Sequence, residues 1–177
     1  MEVVDFLSGK GKVAGSGTLD EAVQNKVWYS VGVLYVVNDK MQVLLGLKNR
    51  KSGGDGLWSP VYCVMPSKSN KEVELSNLFK DKFGLQISPN RLQHLILEKS
   101  KVKVDKITHK QFVDMYLVKK NVDINDVKTN FDKVKFVQLK TYISYLKNKN
   151  ENYKIFSKNG YKILQTYLNF KQFMKNK

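Results

Sequence analysis

Residues Asn77–Ile87 read NLFKDKFGLQI. Leu78, Phe79 and Phe83, with Leu75 just upstream, recur at helical spacing, so one apolar stripe is available to face a core. Gly84 follows directly, at the position where a left-handed residue commonly closes a helix. The stretch predicts a helix of about three turns that stops at Gly84 and passes through Leu85 into a strand.

Upstream, Thr18 precedes Glu21 by three residues in GTLDEAVQ, the spacing of a capping box that starts a short helix. The preceding SGKGKVAGSG has neither the spacing nor the Gly-Lys-Ser/Thr ending of a phosphate-binding loop, and it reads as a hairpin tip. WYSVGVLYVV and MQVLLGLK are β-rich runs flanking NDK, as in a hairpin. Downstream, LQHLILE, QFVDMYLVKK and KVKFVQL read as strands, YISYLKNK and Tyr161–Met174 as helices. Strands in mixed order with a few helices predict an α+β or α/β/α class. At 177 residues, the chain fits one domain, residues 1–177, with closing helices over about 139–175.

The composition is that of a folded chain: 42% hydrophobic residues and three prolines. The N-terminal MEVVDFLSGK lacks a basic segment followed by an apolar run, and no apolar stretch has the length of a membrane helix. A cytoplasmic protein with no membrane partner is therefore expected. Cys63 is the sole cysteine, and His94 and His109 stand apart, which excludes an internal disulfide and argues against a zinc or iron–sulfur centre.

Charge is unevenly spread. Residues 1–90 carry 11 basic and 9 acidic side chains, whereas residues 91–177 carry 20 and 7. The competing reading of 29 lysines against Arg50 and Arg91 is a codon bias toward lysine, but such a bias should load both halves alike. The asymmetry favours a surface that meets a polyanion. Lys99, Lys101 and Lys103 alternate and so project from one face of a strand, with Lys106 and Lys110 extending the run. Lys140, Lys147, Lys149, Lys154, Lys158, Lys162, Lys171 and Lys175 follow, interleaved with Tyr142, Tyr145, Tyr153 and Tyr161. Lysines seek phosphates and tyrosines stack on bases, whereas two arginines leave little bidentate base reading. The alternative is that these tyrosines are core residues of amphipathic helices.

The frame resembles the Nudix superfamily, whose box is G-x5-E-x7-R-E-U-x-E-E-x-G-U, with U a bulky aliphatic. Anchored on Gly84 and Leu85, the box falls on Cys63, Ser69, Asn77, Leu78, Phe79, Asp81, Lys82, Gly84 and Leu85. Phe79, Gly84 and Leu85 keep the fold-making positions, and Asp81 is the one acid retained. Glu72 and Glu74 lie on the same helix but off the ligand positions. The opening hairpin, capped helix and strand pair, the late strands and closing helices, and Trp58, Cys63 and Pro66 of LWSPVYCVMP, are similar to the isopentenyl-diphosphate-isomerase-like branch.

That resemblance implies a Nudix-type α/β/α sandwich with a mixed β-sheet and a ligand or diphosphate pocket near Trp58, Cys63, Asp81 and Lys82. Family hydrolysis uses Mg2+ held by several carboxylates. Here one acid remains, so no cofactor and no catalytic residue are expected, with a Mg2+-dependent hydrolase as the alternative. In the isomerase, a cysteine works with a histidine-rich cage; here Met65 occupies the histidine position, and Cys63 reads as a small buried hydrophobe rather than a catalytic thiol. Lys82 is either a solvated lysine at a helix C-terminus or a cation replacing the metal's charge.

The expectation is a non-catalytic protein binding RNA or a ribonucleoprotein such as the ribosome through Lys99, Lys101, Lys103, Lys106, Lys110, Lys147, Lys149, Lys154, Lys158 and Lys162. The alternatives are a divergent hydrolase of nucleoside diphosphate derivatives or capped RNA, and a nucleotide-binding sensor with a protein partner.

Overall fold

The computed structural model describes residues 3–104 and 106–175, and the side chains of Ser52, Val104 and Lys175 also lie outside the described set. In chain order the elements are β1 (Val3–Leu7), β2 (Val13–Thr18), α1 (Leu19–Gln24), β3 (Trp28–Val37), β4 (Gln42–Leu47), β5 (Trp58–Ser59), β6 (Val61–Val64), α2 (Lys71–Phe83), β7 (Gln93–Val104), β8 (Ile107–Lys119), β9 (Lys133–Gln138), α3 (Leu139–Lys147) and α4 (Gly160–Lys175).

β3 organises the mixed sheet. One of its edges is met along its whole length by β8, in parallel, from Trp28↔Lys110 to Val37↔Lys119. Its other edge is met in succession by β1 at Trp28, β6 at Val31–Leu34 and β4 at Val37↔Val43. β4 leaves β3 after that one pair and joins β5 and β9 instead. β7 pairs antiparallel with the outer edge of β8.

Helices cover both faces, which is why β3 is apolar almost throughout rather than alternating. On one face Tyr29, Val31, Val33, Val113 and Met115 pack with Tyr142, Leu164 and Leu168 of α3 and α4. On the other, Leu34, Val36, Tyr116 and Val118 pack with Leu75, Phe79 and Phe83 of α2. The result is the α/β/α sandwich expected for this α+β chain. Gly32 lets α2 approach, since a Cβ there would lie 1.9 Å from Met65 Cε and 3.2 Å from a Leu75 methyl.

The local signals map closely. Thr18 Oγ1 accepts from Glu21 N at 3.2 Å, and Glu21 Oε2 accepts from Thr18 N at 2.7 Å, completing the capping box of α1. Gly84 closes α2 at φ 70°, its N–H donating to Lys80 O at 2.7 Å. Two local expectations change. Within SGKGKVAGSG only Ser8–Lys12 form the tip, because Val13–Thr18 pair with β1 as an exposed edge strand that tolerates glycine. Leu85 does not lead into a strand: residues 85–88 are irregular and Pro89, which lacks an N–H, begins a 3-10 turn. Ile87 is nonetheless buried against α2.

Candidate functional site

Where β4 parts from β3, the sheet opens into a cleft of about 250 Å³ between β6 and the β4–β5 side. Lys48, Asp55, Tyr62, Lys82 and Phe131 line it. Lys82, from the last turn of α2, sits with its ammonium 5.9 Å from the centre of the Phe131 ring. Across the cleft Lys154 Nζ donates to Asp55 Oδ2 and to Tyr62 OH, both at 2.7 Å. Burial works against the Lys154 ammonium, but Tyr62 and Asp55 outweigh it and hold its pKa above the ordinary lysine value.

Of the residues expected at a ligand pocket, Lys82 alone lines this cleft. Asp81 is exposed on α2 outside it. Trp58 packs on the α3–α4 side, with Lys135 Nζ 3.9 Å above its ring. Cys63, opposite Gly32, packs half-buried into the α2-side core. The positions that the anchoring on Gly84 would assign to the box carry an exposed Asn77, a core-packed Leu78, an exposed Asp81 that does not line the cleft, and Lys82. That donor set does not fit Mg2+, which takes hard carboxylate oxygens. Among the described residues no three His, Cys, Asp or Glu side chains gather to hold a metal ion.

The expected lysines divide into groups. Lys99, Lys101 and Lys103 are exposed on one face of β7. Lys110 is directly opposite Lys101 on β8 and shares that face. Lys106 is exposed at the turn, with φ 70°. Beyond the Trp28↔Lys110 pair, β7 and β8 pair only with each other among the described residues, so this end forms a two-stranded arm. Lys99 Nζ lies 5.5 Å from the ring centres of both Trp28 and Phe112 at its base.

The other lysines do not join that face. Lys147 and Lys149 are exposed at the end of α3, and Lys158 and Lys162 at the start of α4. These helices cover the opposite side of the sheet, where Ser157 Oγ and Asn159 Nδ2 donate to Glu98 at 2.6 and 2.9 Å. Lys154 is engaged in the cleft, and the Lys175 side chain is outside the described residues. Tyr142 and Tyr153 are buried, while Tyr145 stacks on Tyr153 at 4.6 Å and Tyr161 packs partly buried on the core, so the first two offer no surface for a base.

One polar cluster went unrecognised in the sequence. Asp114, only 4% exposed, bonds Lys71 Nζ, His94 Nε2 at 3.2 Å and Ser30 Oγ at 3.4 Å. Beside it, burial, the Asp114 charge and a hydrogen bond with Glu72 push the Tyr116 hydroxyl far above its ordinary pKa. A lone acid inside FVDMYLV, a strand apolar on both faces, is the signal that marks it.

This architecture is the Nudix fold. The chain superposes on DR0079 from Deinococcus radiodurans with a TM-score of 0.66 at 12% identity, covering 93% of this chain and 98% of that one. It matches MutT from Methanosarcina mazei Go1 with a TM-score of 0.59 at 10% identity (79% and 94% covered) and the C. elegans Ap4A hydrolase binary complex with 0.53 at 12% (80% and 96%). No family model matches the sequence. No curated protein matches it significantly either. Among the described residues no helix is long and apolar enough to cross a membrane.

Proposed function

We propose that this chain is a non-catalytic Nudix-fold protein of the cytoplasm that binds RNA, free or within a ribonucleoprotein such as the ribosome, through the β7–β8 arm. The observation that carries this reading is the Lys101–Lys110 pair. Like charges directly opposite on one face of a strand pair destabilise it, by about 0.2–1 kcal/mol, and Lys99, Lys103 and Lys106 add to the same repulsion. A polyanion laid across the arm relieves that cost. Trp28, half-buried at its base, adds ring surface beside the phosphates. The chain's place in the isopentenyl-diphosphate-isomerase-like branch, with a degenerate box, belongs to the same reading. Lys48 and Lys82 replace a metal's charge in the cleft, which then holds a nucleotide phosphate without cutting it.

The test is fluorescence anisotropy with single-stranded RNAs of unrelated sequence at several salt concentrations. Wild type should show a steep salt slope, and the Lys99, Lys101, Lys103 triple alanine variant should flatten it by about 2, near 0.7 for each phosphate no longer neutralised. Weak, salt-insensitive binding, or an unchanged slope in the variant, refutes the reading. A second reading, a divergent hydrolase of nucleoside diphosphate derivatives or capped RNA, is favoured by the likeness to MutT and Ap4A hydrolase folds. Metal-dependent turnover abolished by Asp81→Ala would establish it in place of the first.

A further inference from the structure

A second cavity, of about 200 Å³, lies on the α2 side of the sheet, between the β1–β2 tip and the base of the lysine arm. We infer that it is a slot for one unstacked base of a single-stranded RNA whose phosphates lie on Lys99, Lys101 and Lys103; the inference rests on the RNA-binding reading above. The volume is below the ~300 Å³ at which drug-sized ligand pockets begin, so it takes one flat ring rather than a whole nucleotide. Its walls are those of a base site. Phe112, only 6% exposed, contributes part of one wall, and the backbone of the tip lies against its ring: a Cβ on Gly11, which turns at φ 78°, would lie 3.4 Å from Phe112 Cε1. Leu97, 49% exposed, forms the rim.

The interior is polar and its hydrogen-bonding capacity is incompletely used. Lys71 Nζ is anchored by the buried Asp114 and has further N–H groups to donate. Ser30 and Ser69 donate their hydroxyl protons to Asp114 Oδ2 and Pro66 O, leaving oxygen lone pairs free to accept. The Asp5 carboxylate accepts from Ser67 Oγ and Lys68 N and keeps acceptor capacity toward the slot. Donor and acceptors on a ring-sized slot match the mixed edge of a nucleobase. Position joins slot to arm. Leu97 and Lys99 are two residues apart on one face of β7, about 6.6 Å by strand geometry, and the Lys99 ammonium is 5.5 Å from the Phe112 ring centre.

The experiment compares a ten-residue oligouridylate with an abasic ribose-phosphate oligomer of equal length, by anisotropy at several salt concentrations. Wild type should hold the base-bearing oligomer at least about five-fold more tightly, the gain from one net hydrogen bond made in the slot. Leu97→Asn should bring that ratio toward one without changing the salt slope, whereas the triple lysine variant should flatten the slope and preserve the ratio. Equal affinity for both oligomers in wild type, or an unchanged ratio in Leu97→Asn with its native circular dichroism, overturns the slot; a steep salt slope in that case leaves the arm standing. If neither oligomer binds, slot and arm fall together.

Discussion

Removing either partner of the Asp114–Lys71 pair should cost different amounts, because the two ends of the pair sit in different surroundings. The Asp114 side chain is 5% exposed and the Lys71 side chain 36%. Lys71→Met leaves a carboxylate in the sheet interior with only His94 and Ser30 as partners, and stranding a buried charge in this way costs about 3–5 kcal/mol. Asp114→Asn removes the buried charge itself. Lys71 can then turn its ammonium to water, and the loss reduces to hydrogen bonds with a charged group, about 1.5–3 kcal/mol. The double variant should therefore be more stable than Lys71→Met alone, a non-additivity that a double-mutant cycle reads directly. Urea unfolding of wild type, both single variants and the double variant supplies the four free energies. If Asp114→Asn costs as much as Lys71→Met, or the two losses simply add, Asp114 is not an uncompensated charge without Lys71, and the account of the cluster fails.

Burial raises the pKa of Tyr29, Tyr35, Tyr116, Tyr142 and Tyr167 above the ordinary 10.0. Their neutral forms thus stabilise the fold fully below pH 10, and that contribution is lost as pH rises through the raised folded values; Lys154, also raised, has the same sign. Urea midpoints measured from about pH 8 to pH 12 should stay level and then fall above about pH 10, and a level curve throughout contradicts this. Gly84→Ala places a Cβ at φ 70°, 3.1 Å from Lys128 Cβ, and should cost about 1–2 kcal/mol in the same assay, without altering RNA affinity. Cys63→Ala should shift stability by about 1 kcal/mol and leave RNA binding intact; a loss of binding at an unchanged thermal midpoint argues for a functional thiol.

What the sequence disclosed depended on how local the determining physics is. Gly84 needs only its own backbone and four preceding residues to end α2, and Thr18 with Glu21 caps α1 within one turn, so both were legible. The continuous apolar character of Trp28–Val37 likewise announces a strand covered on both faces. Alternation at Lys99, Lys101 and Lys103 placed them on one face, but no local rule says which face the closing helices occupy. Lys147, Lys149, Lys158 and Lys162 are therefore on the other side of the sheet, a fact set by how α3 and α4 pack. Lys154 meets Asp55 from 99 positions away, and Lys71 meets Asp114 across 43; neither pairing has a sequence signature. Nor does the cleft, which exists because β4 keeps one pair with β3 and then turns to β9.

The long parallel partnership of β3 with β8 sets a schedule for synthesis. Trp28 pairs with Lys110, so the strand at the centre of the sheet waits for a neighbour 82 residues further along. At the ~5–20 residues per second of translation, that wait is about 4–16 s. Throughout it the nascent chain carries WYSVGVLYVV with one edge open, the kind of segment that pairs with any other strand within reach. β1, β6 and β4 all precede β8 and occupy only the opposite edge. The first hundred residues thus cannot close the sheet by themselves, and a ribosome stalled before Lys119 would present an aggregation-competent ribbon rather than a partly folded domain.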